Sequence, residues 1–154
     1  MNKKLLVLAL ISIIMAWVFN DSIHSAFILE KIQQDDWAFE GGKIGLHGLK
    51  SDFEYQGLHY IGEQDLSVKS IDVEIRGYSK FSGDKYKLLS KSSIGDAKGI
   101  VLNKDFEYGG GTGSTHSTSV MTTYLLNKVE LYIVMETEGE TVTRIIEIPL
   151  AYGR

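Results

Sequence analysis

The sequence predicts an all-β chain, an antiparallel sandwich or small barrel behind one N-terminal helix, and three observations carry that reading. Lys3 and Lys4 stand before an apolar run from Leu5 to Phe19 that only Ser12 interrupts. After residue 36 the hydrophobic period shifts from helical to two, with glycine recurring between the alternating runs. The chain of 154 residues, 44% hydrophobic and 23% charged, suffices for one ordinary domain and not two.

Composition removes several classes of function. With no cysteine, the chain has no disulfide, thiolate metal site, iron–sulfur cluster or cysteine nucleophile. A formal charge of −4 leaves no basic footprint for nucleic acid. Residues 27–154 carry 14 basic against 19 acidic side chains, a net −5. Anionic headgroups and teichoic-type polymers would repel such a surface unless a cation bridged them.

Residues 1–26 read as a signal peptide or signal-anchor, with Lys3 and Lys4 as its charged start and residues 5–19 as its apolar core. A fifteen-residue helix rises about 22 Å, short of the ~30 Å hydrocarbon core, which favours a cleavable signal. Cleavage after Ser25 or after Ala26 would place Ile23 or His24 at the −3 position, a poor match that favours an uncleaved anchor. Trp17 and Phe19 suit an interface, and the positive-inside rule sets the domain outside the membrane. The expected address is therefore export: the membrane through residues 5–19 if uncleaved, secretion otherwise. Asn20-Asp21-Ser22 is formally a glycosylation sequon and carries no weight beside the apolar run.

Residues 27–36 read as a short helix or stalk, because Ile23, Phe27, Ile28 and Ile32 recur near helical spacing before Asp35-Asp36. Residues 37–152 form the sandwich domain. Its clearest strand is 68–78, where Ile71, Val73 and Ile75 alternate with Asp72, Glu74 and Arg76. Residues 129–136 and 143–150 give two more, and 37–48, 53–61, 84–91, 99–108 and 119–126 give weaker ones. The last two strands pair through Thr137-Glu138-Gly139-Glu140-Thr141. A type II′ turn with Gly139-Glu140 at its tip sets Ile133 opposite Ile146, whereas a Glu138-Gly139 tip would set Ile133 against Arg144. The first register is expected. Pro149 then belongs at an edge or ladder end.

The stretch Gly109 to Ser119 is the most unusual. Its glycines and hydroxyls read as a loop in which Gly110, Thr112, Ser114, His116 and Ser117 could offer a partner backbone amides and hydroxyls. A mobile tether explains the same composition, and replacing 110–118 by a short turn should then change stability by no more than about 1 kcal/mol. No Gly-Lys-[Ser/Thr] follows it, and no Gly-x-Ser-x-Gly elbow supports a triad around His116. His24, His47, His59 and His116 lack metal-ligand spacing, so no metal or other cofactor is expected. The acidic pairs Asp35/Asp36, Glu63/Asp65 and Asp105/Glu107 could serve glycoside hydrolysis or calcium only if they met in a cleft. Tyr55, Tyr60, Tyr78, Tyr86, Tyr108 and Tyr124 supply enough ring area for a binding face and are equally ordinary in sheets. The repeated Asp-Phe-Glu-Tyr at 52–55 and 105–108 reads as two short strands, not a duplication.

The opening Met1-Asn2-Lys3-Lys4, Trp37-Ala38-Phe39-Glu40-Gly41-Gly42, Ile71-Asp72-Val73-Glu74-Ile75 and the Val129–Leu150 hairpin share a layout. That layout loosely resembles small exported Ig-like β-sandwich proteins of Gram-positive bacteria. The resemblance implies an Ig-like fold and an extracytoplasmic address, and transfers no functional residue. With no catalytic constellation in the sequence, the expected function is a non-enzymatic module binding a protein or cell-envelope component. A carbohydrate-binding module using Trp37 and the tyrosines is the alternative, and a hydrolase with acidic residues comes third.

Overall fold

The computed structural model describes residues 3–19, 24–47, 50–80, 83, 85–116 and 126–153. Among these residues one helix, α1 (Lys3–Phe19), precedes eleven strands in two antiparallel sheets. Residues 3–16 of α1 are exposed throughout, including Leu5, Leu8, Leu10 and Ile13, so α1 is not a buried core helix. Among the described residues no helix is long and apolar enough to cross a membrane.

The first sheet contains β1 (His24–Leu29), β2 (Ile32–Gln34), β3 (Trp37–Phe39), β4 (Gly42–His47), β5 (Lys50–Tyr60), β8 (Glu107–His116) and β11 (Leu150–Gly153). Its order is β11-β1-β4-β5-β3-β2, with β8 on β5. The second sheet runs β10-β9-β6-β7, from β6 (Leu66–Ser79), β7 (Tyr86–Leu102), β9 (Leu126–Glu136) and β10 (Thr141–Ile148). One core joins them, with Trp37, Phe39, Ile44 and Leu58 from the first sheet and Ile71, Ile75, Leu131, Ile133 and Ile146 from the second. The chain crosses between sheets at both flanks. β7 leads into β8 through residues 103–106, and β10 leads into β11 through Pro149, whose carbonyl accepts from the Glu30 amide at 3.1 Å. Pro149 thus sits at a ladder end, as its missing donor requires.

Residues 27–36 are not a helix. Phe27 and Leu29 are buried while Ile28 is 46% exposed, so the segment alternates, and β1 is paired on both sides, by β4 and β11. The spacing that suggested a helix also contains this period of two, and sheet pairing decided between them. Both candidate cleavage positions, after Ser25 and after Ala26, lie inside β1.

The first sheet is creased. On one side of the crease the buried residues are Leu29, Ile44, Phe53 and Tyr55; on the other they are Trp37, Phe39, Leu58 and Tyr60. Leu29 to Ile32, Phe39 to Ile44 and Tyr55 to Leu58 each break the alternation at the same row. The ladder itself does not slip: the Glu40 amide donates to the Gly57 carbonyl and the Gln56 amide to the Gly41 carbonyl, both at 3.0 Å. Opposite faces of the two halves therefore meet the core. Gly41 holds φ at +90° there, and a Cβ on Gly42 would collide with the Glu54 carbonyl.

The β9–β10 hairpin takes the other register. Arg144 stands opposite Ile133, Ile146 opposite Leu131 and Ile148 opposite Val129, which puts Glu138-Gly139 at the tip. A slide of two residues keeps every side chain on its face, so the inward pattern could not separate the registers. Local chemistry does. The Thr137 amide donates to the Glu140 carbonyl at 2.9 Å, and Thr137 Oγ1 accepts from the Glu140 amide at 3.3 Å. Arg144 is accommodated because its row opens onto a cleft lined by carboxylates.

Candidate functional site

The stretch from Gly109 is not a loop through residue 116. Gly110, Thr112, Ser114 and His116 lie in β8, where Thr112 stands opposite Glu54, Ser114 opposite Asp52 and His116 opposite Lys50. Glycine and small hydroxyl residues give no hydrophobic alternation, yet β5 offers backbone partners along β8 at every row but that of Gly110. Ser117 lies outside the described residues, as do Tyr124 and most of the expected strand 119–126.

The histidines separate into two groups. His59 stands opposite Ala38 on one side and Glu107 on the other. His24 lies in β1 and stands opposite His47; His47 is opposite Lys50, and Lys50 opposite His116. Among the described residues no group of three or more histidine or acidic side chains is placed to hold a metal ion.

Two of the three acidic pairs contribute to one cleft. Asp36, Glu63 and Asp65 line it with Glu140 and Arg144, over Tyr60, Leu66, Met135 and Val142, in a volume of about 520 Å³. The Asp36 carbonyl accepts from the Ile61 amide at 2.8 Å, and the Tyr60 hydroxyl donates to the Gln64 carbonyl at 2.9 Å. These bonds brace the rim. Burial, then the Asp36 and Asp65 charges, push the Tyr60 phenol up, and Arg144 pulls the other way. The third pair, Asp105/Glu107, lies elsewhere, Asp105 donating its amide to Asn103 Oδ1 in a turn.

The tyrosines divide between the core and one outer face. Tyr55, Tyr60 and Tyr108 are buried, and Trp37 is wholly buried, edge-on to Tyr60 at 5.4 Å and to Phe106 at 6.4 Å. Trp37 therefore cannot stack on a sugar. Tyr78 and Tyr86 lie on the outer face of the second sheet with Tyr132, which the sequence reading passed over. Strict alternation in β6 and β9 sends Arg76, Tyr78 and Tyr132 outward while Ile75, Leu131 and Ile133 go inward. The register sets Tyr78 opposite Tyr86 and Glu74 opposite Tyr132.

Arg76 centres this face. Its Cζ lies 3.5 Å from the Tyr132 ring centre and 4.3 Å from that of Tyr86. Its Nε and Nη2 both donate to Glu74 Oε2, at 2.9 and 2.6 Å. Lys91 Nζ donates to Glu74 Oε1 at 2.9 Å. The hydrogen bonds from Lys91 and then Arg76 hold the Glu74 carboxyl below its ordinary range. Alongside, Lys128 Nζ contacts Glu130 at 2.6 Å and lies over the Tyr78 ring at 5.5 Å. Burial, then a hydrogen bond to Glu130, pushes the Tyr78 phenol up to about 12. The result is a face of rings and matched charges that hold one another in place. Leu88 and Ile145, each more than two-fifths exposed, border it.

Comparison with protein-family models, with curated proteins and with solved structures gives no match.

Proposed function

We propose that this protein is an exported, non-enzymatic interaction module that binds a protein or cell-envelope component through the outer face of its four-stranded sheet. The observation that carries the reading is the outward stack of Arg76 between Tyr132 and Tyr86. Aromatic and arginine side chains held in one conformation form contacts at low entropic cost and are enriched where partners dock. Export rests on Lys3-Lys4, the apolar run and the exposed apolar surface of α1, which water alone would not favour. An Ig-like arrangement of the sandwich is part of the proposal, supported by two antiparallel sheets around one core.

The test is capture from solubilised cell envelopes by the intact protein and by a Tyr86→Ala, Tyr132→Ala variant shown by circular dichroism to remain folded at the assay temperature. A partner held by both alike would remove this face as the site. Fusing residues 1–30 to a reporter active only outside the cytoplasm tests export, and a silent fusion would refute it.

Carbohydrate binding is the second reading, favoured by Tyr86 at 46% exposure with the Arg76 guanidinium carbon 4.3 Å from its ring centre. It requires titration with soluble wall polysaccharide to quench tyrosine fluorescence in the intact protein and not in the Tyr86→Ala variant.

A further inference from the structure

The register gathers three of the four histidines at one end of the first sheet. β1 begins at His24, β4 ends at His47, β5 begins at Lys50 and β8 ends at His116. His24 stands opposite His47, His47 opposite Lys50 and Lys50 opposite His116, one row across four neighbouring strands. At about 4.8 Å per strand the row is roughly 14 Å long. The next row in, Ser25, Leu46, Ser51 and Thr115, holds no charge, and the nearest carboxylate of this ladder is Asp52, two rows away. Beyond the ladder, the sequence sets Asp21 before β1 and Arg154 after β11, charges that offset each other. Only residues 20–23 separate the row from α1, so His24 begins within about 18 Å of Phe19.

We propose that this row docks on the anionic headgroups of the bilayer that holds α1, and docks more tightly as the pH falls. The proposal rests on α1 anchoring the exported chain, the reading in which no cleavage after Ser25 or Ala26 removes His24. Charge selects the occupant. Residues 27–154 carry a net −5 with the histidines neutral, so anionic lipid repels the domain as a whole and favours the end where cations stand together. Lys50 supplies one fixed charge, and protonation of His24, His47 and His116 brings the row to four. A histidine held against phosphate binds its proton more tightly than a free one. The attraction is therefore complete well below the ordinary value of about 6.5 and is lost as pH rises through the bound value. Each charge at an anionic surface strengthens binding about fivefold. This contact is separate from the Arg76 face, which lies on the other sheet.

The test reconstitutes the full chain with neutral phosphatidylcholine vesicles and with vesicles in which about a third of the lipid is phosphatidylglycerol. Flotation with the neutral vesicles is expected from α1 alone, and its absence removes the anchor and this proposal together. Hydrogen exchange reads the docking. At about pH 5.5, residues 24–26, 46–47 and 50–51 should exchange at least about fivefold more slowly on the anionic vesicles than on the neutral ones. At about pH 8 the difference should shrink. Salt at about 1 M, where the screening length is about 3 Å, should abolish the slowing without releasing the protein. The combined His24→Gln, His47→Gln, His116→Gln variant should lose the slowing and also controls for the lower pH at an anionic surface. Lysine at the same three positions should extend the slowing to pH 8. A chain that floats with both vesicles but exchanges alike on them overturns the docking and leaves the anchor standing. Slowing that survives high salt, or the glutamine variant, overturns it too, because these charges would not be making the contact.

Discussion

The Arg76 guanidinium carbon stands 3.5 Å from the centre of the Tyr132 ring, one strand away, while two of its nitrogens hold a single oxygen of Glu74. The ring and the carboxylate fix the same planar group from different directions, a geometry lysine cannot copy. A double-mutant cycle with Arg76→Ala and Tyr132→Leu, read by urea unfolding, should give a coupling of about 0.5–1 kcal/mol. Arg76→Lys should recover less than half of the Arg76→Ala loss. Additive single losses would show the stack to be incidental.

Glu74 sets an acid dependence of stability. Its carboxyl, held down by Lys91 and Arg76, is charged in the folded protein at a pH where the unfolded chain takes up the proton. Its contribution is therefore complete above the ordinary value of 4.5 and is lost as the pH falls through the lower folded value. Unfolding midpoints of the Glu74→Gln variant should accordingly fall less steeply below pH 4.5 than those of the parent. Parallel curves would mean that the network does not hold Glu74 in solution.

Tyr78 sets the alkaline counterpart. Its phenol is raised from 10.0 to about 12, so its contribution is complete below 10 and declines as pH rises toward 12. Absorbance titration of the folded protein should lose a tyrosine that ionises near pH 12 in Tyr78→Phe, and the stability decline above pH 10 should flatten. An unchanged titration would contradict the burial of Tyr78 and its bond to Glu130.

The hairpin register is open to direct chemical test. Val134 and Thr143 stand opposite each other on the outer face. Cysteines at 134 and 143 should oxidise to an intramolecular disulfide, and cysteines at 134 and 145 should not. The reverse result would restore the Gly139-Glu140 turn.

Legibility in the sequence followed side-chain alternation. The strands carrying Ile71, Val73 and Ile75 and Leu131, Ile133 and Met135 could be read because each has a wet and a dry face. β8 could not, since its glycines carry no such mark and it exists through the backbone of β5. β1 was misread because Phe27, Ile28 and Ile32 satisfy two periods in a short segment. The acidic pairs were visible as residues, but only Tyr60, Leu66 and Arg144 on three separate strands bring Asp36, Glu63 and Asp65 to one cleft. Tyr132 was passed over because alternation explained it fully as a strand residue. What would have found it is its register against Glu74 and the neighbouring Arg76, a long-range fact.

Replacing residues 110–118 by a short turn is now expected to cost far more than the 1 kcal/mol or so that a tethering loop would allow. Ser114, Gly113, Thr112 and Gly111 pair with Asp52, Phe53, Glu54 and Tyr55. Removing them leaves that stretch of β5 with a ladder partner only in β4, and exposes the flank of Phe53 and Tyr55, each 4% exposed in the intact fold. Partly uncovering two aromatic side chains costs about 2–3 kcal/mol at 25 cal/mol per Å², before the ladder bonds are counted. Urea unfolding of the shortened chain should therefore show a loss of at least about 2 kcal/mol. Hydrogen exchange should quicken at residues 50–55 and remain slow at Ile71–Ile75, which sits in the other sheet. A shortened chain as stable as the parent would return residues 110–116 to the loop that their composition first suggested.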